Sequence, residues 1–151
     1  MTAIVVADAS VVVKWFLADR SEEDDVEAAL QLLYAVHDAR VNLRQPPHWL
    51  AEAAAVLTRL SPETAIEDIA DLHAMELEEV TTLSVYERAS ELARSLGQHL
   101  FDTLYHAVAL ETRDATLVTA DERYFQAAAP IGSIALLSDS IVEQLLQPRL
   151  E

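Results

Sequence analysis

Short apolar runs alternate along this chain with longer segments whose apolar residues recur every three or four positions. Ala3–Ala7 is continuously apolar, the pattern of a strand buried on both faces of a parallel sheet. Residues 10–17 read as a helix directly after it. Ser21-Glu22-Glu23-Asp24 forms a capping box that opens a helix to about Ala39, with acids placed well for the helix dipole. Val41–Gln45 is a weaker strand. Pro46-Pro47 closes it and opens a helix through Leu60. Ser61-Pro62-Glu63 caps a helix to about Met75. Residues 80–83 are rich in β-branched side chains and read as a strand. Ser84-Val85-Tyr86-Glu87 is a second capping box, for a helix that ends at Gly97. The pattern continues with a helix over 100–113, a strand over 116–119, a helix over 121–128 and a strand over 134–137. Ser138 caps a last helix.

Strands that alternate with helices predict an α/β fold with a central parallel sheet of about five strands. Parallel neighbours need crossover connections, and these are expected to be right-handed. No repeat, linker or low-complexity tract divides the sequence, so residues 1–151 are expected to form a single domain. Ligands of such sheets bind beyond the carboxyl ends of the strands.

Composition narrows the chemistry. Of 151 residues, 52% are hydrophobic and only 2 are Gly, which suits a packed core and excludes general disorder. There is no Cys, which removes disulfides, thiolate metal sites and a cysteine nucleophile. The opening Met1-Thr2-Ala3-Ile4-Val5 lacks the basic start of a signal peptide, and no apolar stretch is long enough for a membrane span. A cytoplasmic protein is expected. The net charge is −16, and Lys14 is the only lysine. General binding to a phosphate backbone wants a basic surface, so composition speaks against a simple nucleic-acid-binding module. Arginines at 40, 44, 59, 88, 94, 113 and 123 remain available for local basic patches.

Four acids sit beside apolar segments spread through the chain: Asp8, Glu52, Asp102 and Asp121. Each has an ordinary explanation. Asp8, Asp102 and Asp121 fall where helices begin and suit caps or first turns. Glu52 lies at the edge of the apolar stripe formed by Trp49, Ala53, Val56, Leu57 and Leu60. Together they suggest more. Asp8 and Asp121 each follow a short apolar strand, at the edge where an α/β sheet places its site. Carboxylates gathered there would repel one another unless a cation sat among them, and hard oxygen donors suit Mg²⁺ or Mn²⁺. Ser10 is placed to fix the Asp8 rotamer. His106, one turn beyond Asp102, is either a further ligand or a packed histidine.

The segments that carry these acids, taken in order, resemble the motifs of PIN-domain proteins. They are Val6-Ala7-Asp8-Ala9-Ser10-Val11-Val12-Val13-Lys14-Trp15, Leu50-Ala51-Glu52-Ala53-Ala54-Ala55-Val56-Leu57, Asp102-Thr103-Leu104-Tyr105-His106-Ala107-Val108-Ala109 and Leu117-Val118-Thr119-Ala120-Asp121-Glu122-Arg123-Tyr124-Phe125. Within that group the chain is similar to the VapC-type ribonuclease toxins of bacterial and archaeal toxin–antitoxin pairs. The resemblance spans essentially the whole chain. It implies a three-layer α/β/α fold and Mg²⁺- or Mn²⁺-dependent hydrolysis of RNA phosphodiesters. It also implies a catalytic quartet of Asp8, Glu52, Asp102 and Asp121. Asp8 and Asp102 are the first choices as direct metal ligands. Asp121 and Glu52 complete the shell or hold its waters, and Ser10 and Thr119 take supporting positions. A homodimer and a tightly bound antitoxin are further implications. The negative surface independently favours a basic partner, and the apolar Val26, Leu30, Leu33 and Tyr34 suit either a groove wall or packing on the chain's own core.

Two other readings stay open. A phosphatase of the haloacid dehalogenase type also opens with a strand ending in Asp. It wants a second Asp two residues on, where this chain has Ser10, and a later lysine, which is absent. A non-catalytic domain that uses its acids to hold a basic protein is the other.

Overall fold

The computed structural model describes residues 2–20 and 22–147. Five strands form one all-parallel sheet: β1 (Ala3–Ala7), β2 (Val41–Gln45), β3 (Glu78–Glu79), β4 (Ala115–Thr119) and β5 (Ile134–Leu136), in the order β3-β2-β1-β4-β5. Eight α-helices accompany them among the described residues, in an α/β/α arrangement: α1 (Ala9–Val12), α2 (Val26–His37), α3 (Trp49–Leu60), α4 (Ala65–Ala74), α5 (Leu83–Leu96), α6 (Leu100–Glu111), α7 (Glu122–Ala128) and α8 (Ser140–Leu146).

The strand order explains why the most continuous apolar run is the first. β1 is central, with β2 and β4 hydrogen-bonded on either side, so Val5, Val6 and Ala7 are fully buried. The chain first builds outward from β1 through β2 to β3, then returns to the other side of β1 for β4 and β5. The carboxyl ends of β1 and β4 therefore flank the switch point, where an open parallel sheet leaves a crevice. Asp8 follows the one strand and Asp121 the other.

Several boundaries differ from the sequence expectation, each for a local reason. Residues 80–83 are not a strand. β3 is the pair Glu78–Glu79, with Glu78 ion-paired across the strands to Arg44 at 3.0 Å, and only the Val80 N–H extends the pairing, to the Gln45 carbonyl at 2.9 Å. Thr82 then turns to φ −69°, ψ 150° and caps α5, which starts at Leu83. The Ser84–Glu87 capping box does not form, because Ser84 is already inside the helix; its hydroxyl meets that of Thr82 at 3.1 Å. Thr64 caps α4 in place of Ser61, and Asp139 caps α8 in place of Ser138, its carboxylate accepting from the Ile141 N–H at 3.3 Å. Ser21, and with it the first capping box, lies outside the described residues; α2 begins at Val26 after Asp25 in the left-handed region at φ 56°. The helix expected over 10–17 is α1 followed by a 3-10 turn, Val13–Phe16.

That turn secures the start of the chain from both sides. Trp15 Nε1 donates to the Ala29 carbonyl at 2.9 Å. Lys14, the sole lysine, is buried and donates to Glu23 Oε2 at 3.1 Å and to the Asp24 carbonyl at 2.7 Å. A buried ammonium needs such partners. No helix among the described residues is long and apolar enough to cross a membrane.

Candidate metal centre

Asp8 is the N-cap of α1, but its carboxylate does more than cap. Oδ2 accepts from the Ser10 N–H at 3.1 Å, from Ser10 Oγ at 2.5 Å and from Thr119 Oγ1 at 3.5 Å. Each hydroxyl has its direction set by a second bond. Ser10 Oγ accepts the Ala120 N–H at 3.0 Å, and Thr119 Oγ1 accepts the Asp121 N–H at 3.1 Å. A hydroxyl has one hydrogen, so both are left to point theirs at Asp8. The backbone of the β4–α7 connection thus orients Asp8, 111 residues away in sequence. Oδ2 is saturated and Oδ1 is left for another partner.

Glu52 comes from the first turn of α3 and Asp102 from the first turn of α6. One carboxylate oxygen each from Asp8, Glu52 and Asp102 lie within 4.8 Å of one another. Three acids converge in this way only because three elements point their starts at one edge of the sheet. Asp121 adjoins the group without joining it. Its Oδ1 accepts the Tyr124 N–H at 3.0 Å and caps α7, while its charge still reaches Asp102.

The convergence is electrostatically unfavourable as it stands. Part of Asp8 reaches solvent, but its carboxyl is enclosed, and burial pushes its pKa up to about 6. The Ser10 bonds oppose that rise, and the charges of Glu52 and Asp102 add to it. Asp102 is also raised, by burial first and then by Glu52 and Asp121, with His99 and His48 working the other way. Tyr105, fully buried on α6, has its pKa raised by burial and by the charges of Glu52 and Asp8. Among the described residues its hydroxyl has no partner of good hydrogen-bond geometry, although Glu52 lies close beside it. A buried hydroxyl beside three carboxylates keeps hydrogen-bonding capacity that a ligand at this cluster could use.

A divalent cation fits this donor set. Oxygen ligands at about 2.1 Å from Mg²⁺ lie no more than about 4.2 Å apart, so carboxylates within 4.8 Å close on an ion by small side-chain movements. All donors are hard oxygens, with no soft ligand present.

A family model of the PIN domain matches residues 5–130. The chain belongs to the PIN-domain family. No curated protein matches it. PIN domains are typically metal-dependent nucleases, and in this PIN domain the cluster of Asp8, Glu52 and Asp102 fits that chemistry.

Of the expected supporting residues, Ser10 and Thr119 both contact Asp8. His106 is not a ligand. Its Nε2 donates to the Gly132 carbonyl at 2.7 Å and its Nδ1 accepts from the Tyr124 hydroxyl at 2.9 Å, a neutral ring whose pKa is lowered by burial. Three residues of the site escaped the sequence reading: Gln45, His48 and Tyr105. Gln45 stands in the inward rhythm of Val41 and Leu43, His48 one helical turn before Glu52, and Tyr105 one turn after Asp102. Those spacings were the available signal.

Proposed function

We propose that this PIN domain is a Mg²⁺- or Mn²⁺-dependent endoribonuclease and the toxin of a toxin–antitoxin pair. The observation that carries the nuclease reading is the convergence of Asp8, Glu52 and Asp102, with the Asp8 rotamer already fixed by Ser10 and Thr119. A bound cation would supply Lewis-acid chemistry, activating a water and neutralising charge on the phosphodiester.

The residues divide the remaining work. Asp8 and Asp102 would hold the ion directly, and Glu52 would complete its shell. Asp121, with one oxygen committed to capping α7, would act on the ion through its charge and its second oxygen. Ser10 and Thr119 keep Asp8 Oδ1 turned toward the ion. The Tyr105 hydroxyl, buried beside Glu52, would be free to donate to an oxygen of the cluster or of the substrate.

The net charge of −16 gives weak general attraction to RNA, so recognition rests on the ion and on local contacts. The same charge favours a basic antitoxin and makes that association fast and salt-sensitive. Val26, Leu30 and Leu33 on α2 are half-buried and Tyr34 is 51% exposed, a face suited to an apolar segment of that partner. The toxin assignment, with its homodimer and antitoxin, is carried by the likeness of the sequence motifs to VapC-type toxins.

The deciding experiment offers structured and single-stranded RNAs to purified protein with Mn²⁺, alongside Asp8→Ala. Metal-dependent cleavage that a chelator abolishes and Asp8→Ala lacks is the expected result. Cleavage untouched by chelator, or retained in Asp8→Ala, refutes the assignment. Co-expression with the product of the adjacent upstream gene tests the partner: the two should co-purify, and recovery of the chain alone as a monomer at every salt concentration counts against antitoxin and homodimer alike.

A further inference from the structure

We infer that His48 is a positioning residue of the metal centre, locking Glu52 on α3 to the Asp102-bearing start of α6 through a single ring nitrogen. The inference rests on the metal reading above and deepens it. His48 is the N-cap residue of α3, and its Nε2 lies 2.8 Å from the carbonyl oxygen of Phe101, the residue before Asp102. A carbonyl only accepts, so Nε2 carries the proton. The same nitrogen is 3.3 Å from Glu52 Oε2. The ring nitrogen thus bonds the backbone beside a candidate ligand on one helix and stands at ion-pair distance from a candidate ligand on another.

Packing fixes the ring that makes this link. The His48 ring meets Phe101 at 5.4 Å and crosses Tyr105 edge-on at 4.9 Å, two α6 residues one turn apart. Nδ1 is buried with no partner, so Nε2 makes the ring's polar contacts among the described residues. Glu52 also offers an oxygen to the cluster with Asp8 and Asp102. α3 and α6 are otherwise separate in sequence by the whole of α4, β3 and α5. The His48 bridge sets how far apart Glu52 and Asp102 stand before any ion arrives. Partners that orient metal ligands in this way are typically worth about 10–100-fold in metal affinity or activity.

The test compares His48→Gln, whose amide N–H reaches about as far as Nε2, with His48→Leu, which has similar bulk and no donor. Mn²⁺ affinity is read from the rise of melting temperature with metal, and kcat and KM from RNA cleavage. His48→Leu should bind Mn²⁺ about 10–100-fold more weakly and lose kcat with KM little changed, while His48→Gln recovers to within a few-fold of wild type. Should His48→Leu not fold, His48→Asn replaces it, its shorter amide falling short of Phe101. Wild-type Mn²⁺ affinity in the donor-free variant overturns the inference, and so does equal impairment of His48→Gln, which would leave a packing role only. A wild-type protein whose melting ignores Mn²⁺ overturns the metal reading itself and this inference with it.

Discussion

The side-chain amide of Gln45 pairs with the main chain of Ala7 as a further strand residue would. Oε1 accepts the Ala7 N–H and Nε2 donates to the Ala7 carbonyl, both at 2.8 Å. The backbone register of β1 and β2 ends at Val5 opposite Leu43, because β2 turns its last residues toward β3. Gln45, fully buried, fills the gap and fixes the residue immediately before Asp8. Gln45→Leu keeps the volume and strands two buried backbone groups. It should destabilise the protein by roughly 2–5 kcal/mol in urea unfolding and weaken Mn²⁺ binding. A loss below about 1 kcal/mol would mean the amide is dispensable.

Asp8 makes a definite pH prediction for the metal-free protein. Its pKa of about 6 in the fold lies above the ordinary 3.8, so the folded state binds the extra proton between those values. Stability from this group is then highest at low pH and falls as pH rises from about 4 to 6. Asp8→Asn cannot titrate. In chelator at pH 7.5 it should be more stable than wild type by about 1–3 kcal/mol, with the gap closing by pH 4. With saturating Mn²⁺ the order reverses, since only wild type keeps the anionic ligand. A gap independent of pH would show that Asp8 is not under this strain.

Ser10 opposes that strain. Its hydroxyl donates to Asp8 Oδ2 and accepts from Ala120, tying α1 to the β4–α7 connection. Ser10→Ala removes a bond to the ionised form, so the Asp8 pKa should move above about 6. Carboxyl NMR titration reads this directly. Mn²⁺ affinity near pH 6.5 should fall with it, because protons compete for the same oxygen. Unchanged titration would leave Ser10 a turn residue only.

The fold was legible because its signals are local. β1 and β4 are apolar runs with acids or polar residues at their ends, and α3, α5 and α6 announce themselves by periodicity. The misplaced boundaries lie where several capping residues stand in a row: Ser61 to Thr64, Thr82 to Ser84, Ser138 to Asp139. Any of them satisfies the local rule, and tertiary packing chooses. β3 has two exposed glutamates and no apolar pattern; it exists because Arg44 and the Gln45 carbonyl draw it to β2. In the site, Asp8, Glu52 and Asp102 were readable as acids beside apolar runs. Gln45, His48 and Tyr105 were not, since each acts through a partner 38 or more residues away or through a buried atom whose vacancy no sequence displays.

Asp121 and Asp102 are expected to separate cleanly. Both were read from sequence as metal-binding acids at helix starts. The fold puts an Asp102 oxygen within 4.8 Å of those of Asp8 and Glu52, and commits one Asp121 oxygen to the Tyr124 N–H. Asn caps helices as well as Asp does, so Asp121→Asn preserves α7 and tests charge alone. Asp102→Asn should lose most of the melting-temperature response to Mn²⁺ and nearly all cleavage. Asp121→Asn should keep most of the melting response and lose part of the cleavage, as a residue acting through water would. Asp121→Ala should add a cap loss of about 1 kcal/mol without metal. An Asp121→Asn protein that ignores Mn²⁺ as completely as Asp102→Asn would instead move Asp121 into direct contact with the ion, and would require its carboxylate to leave Tyr124 when metal binds.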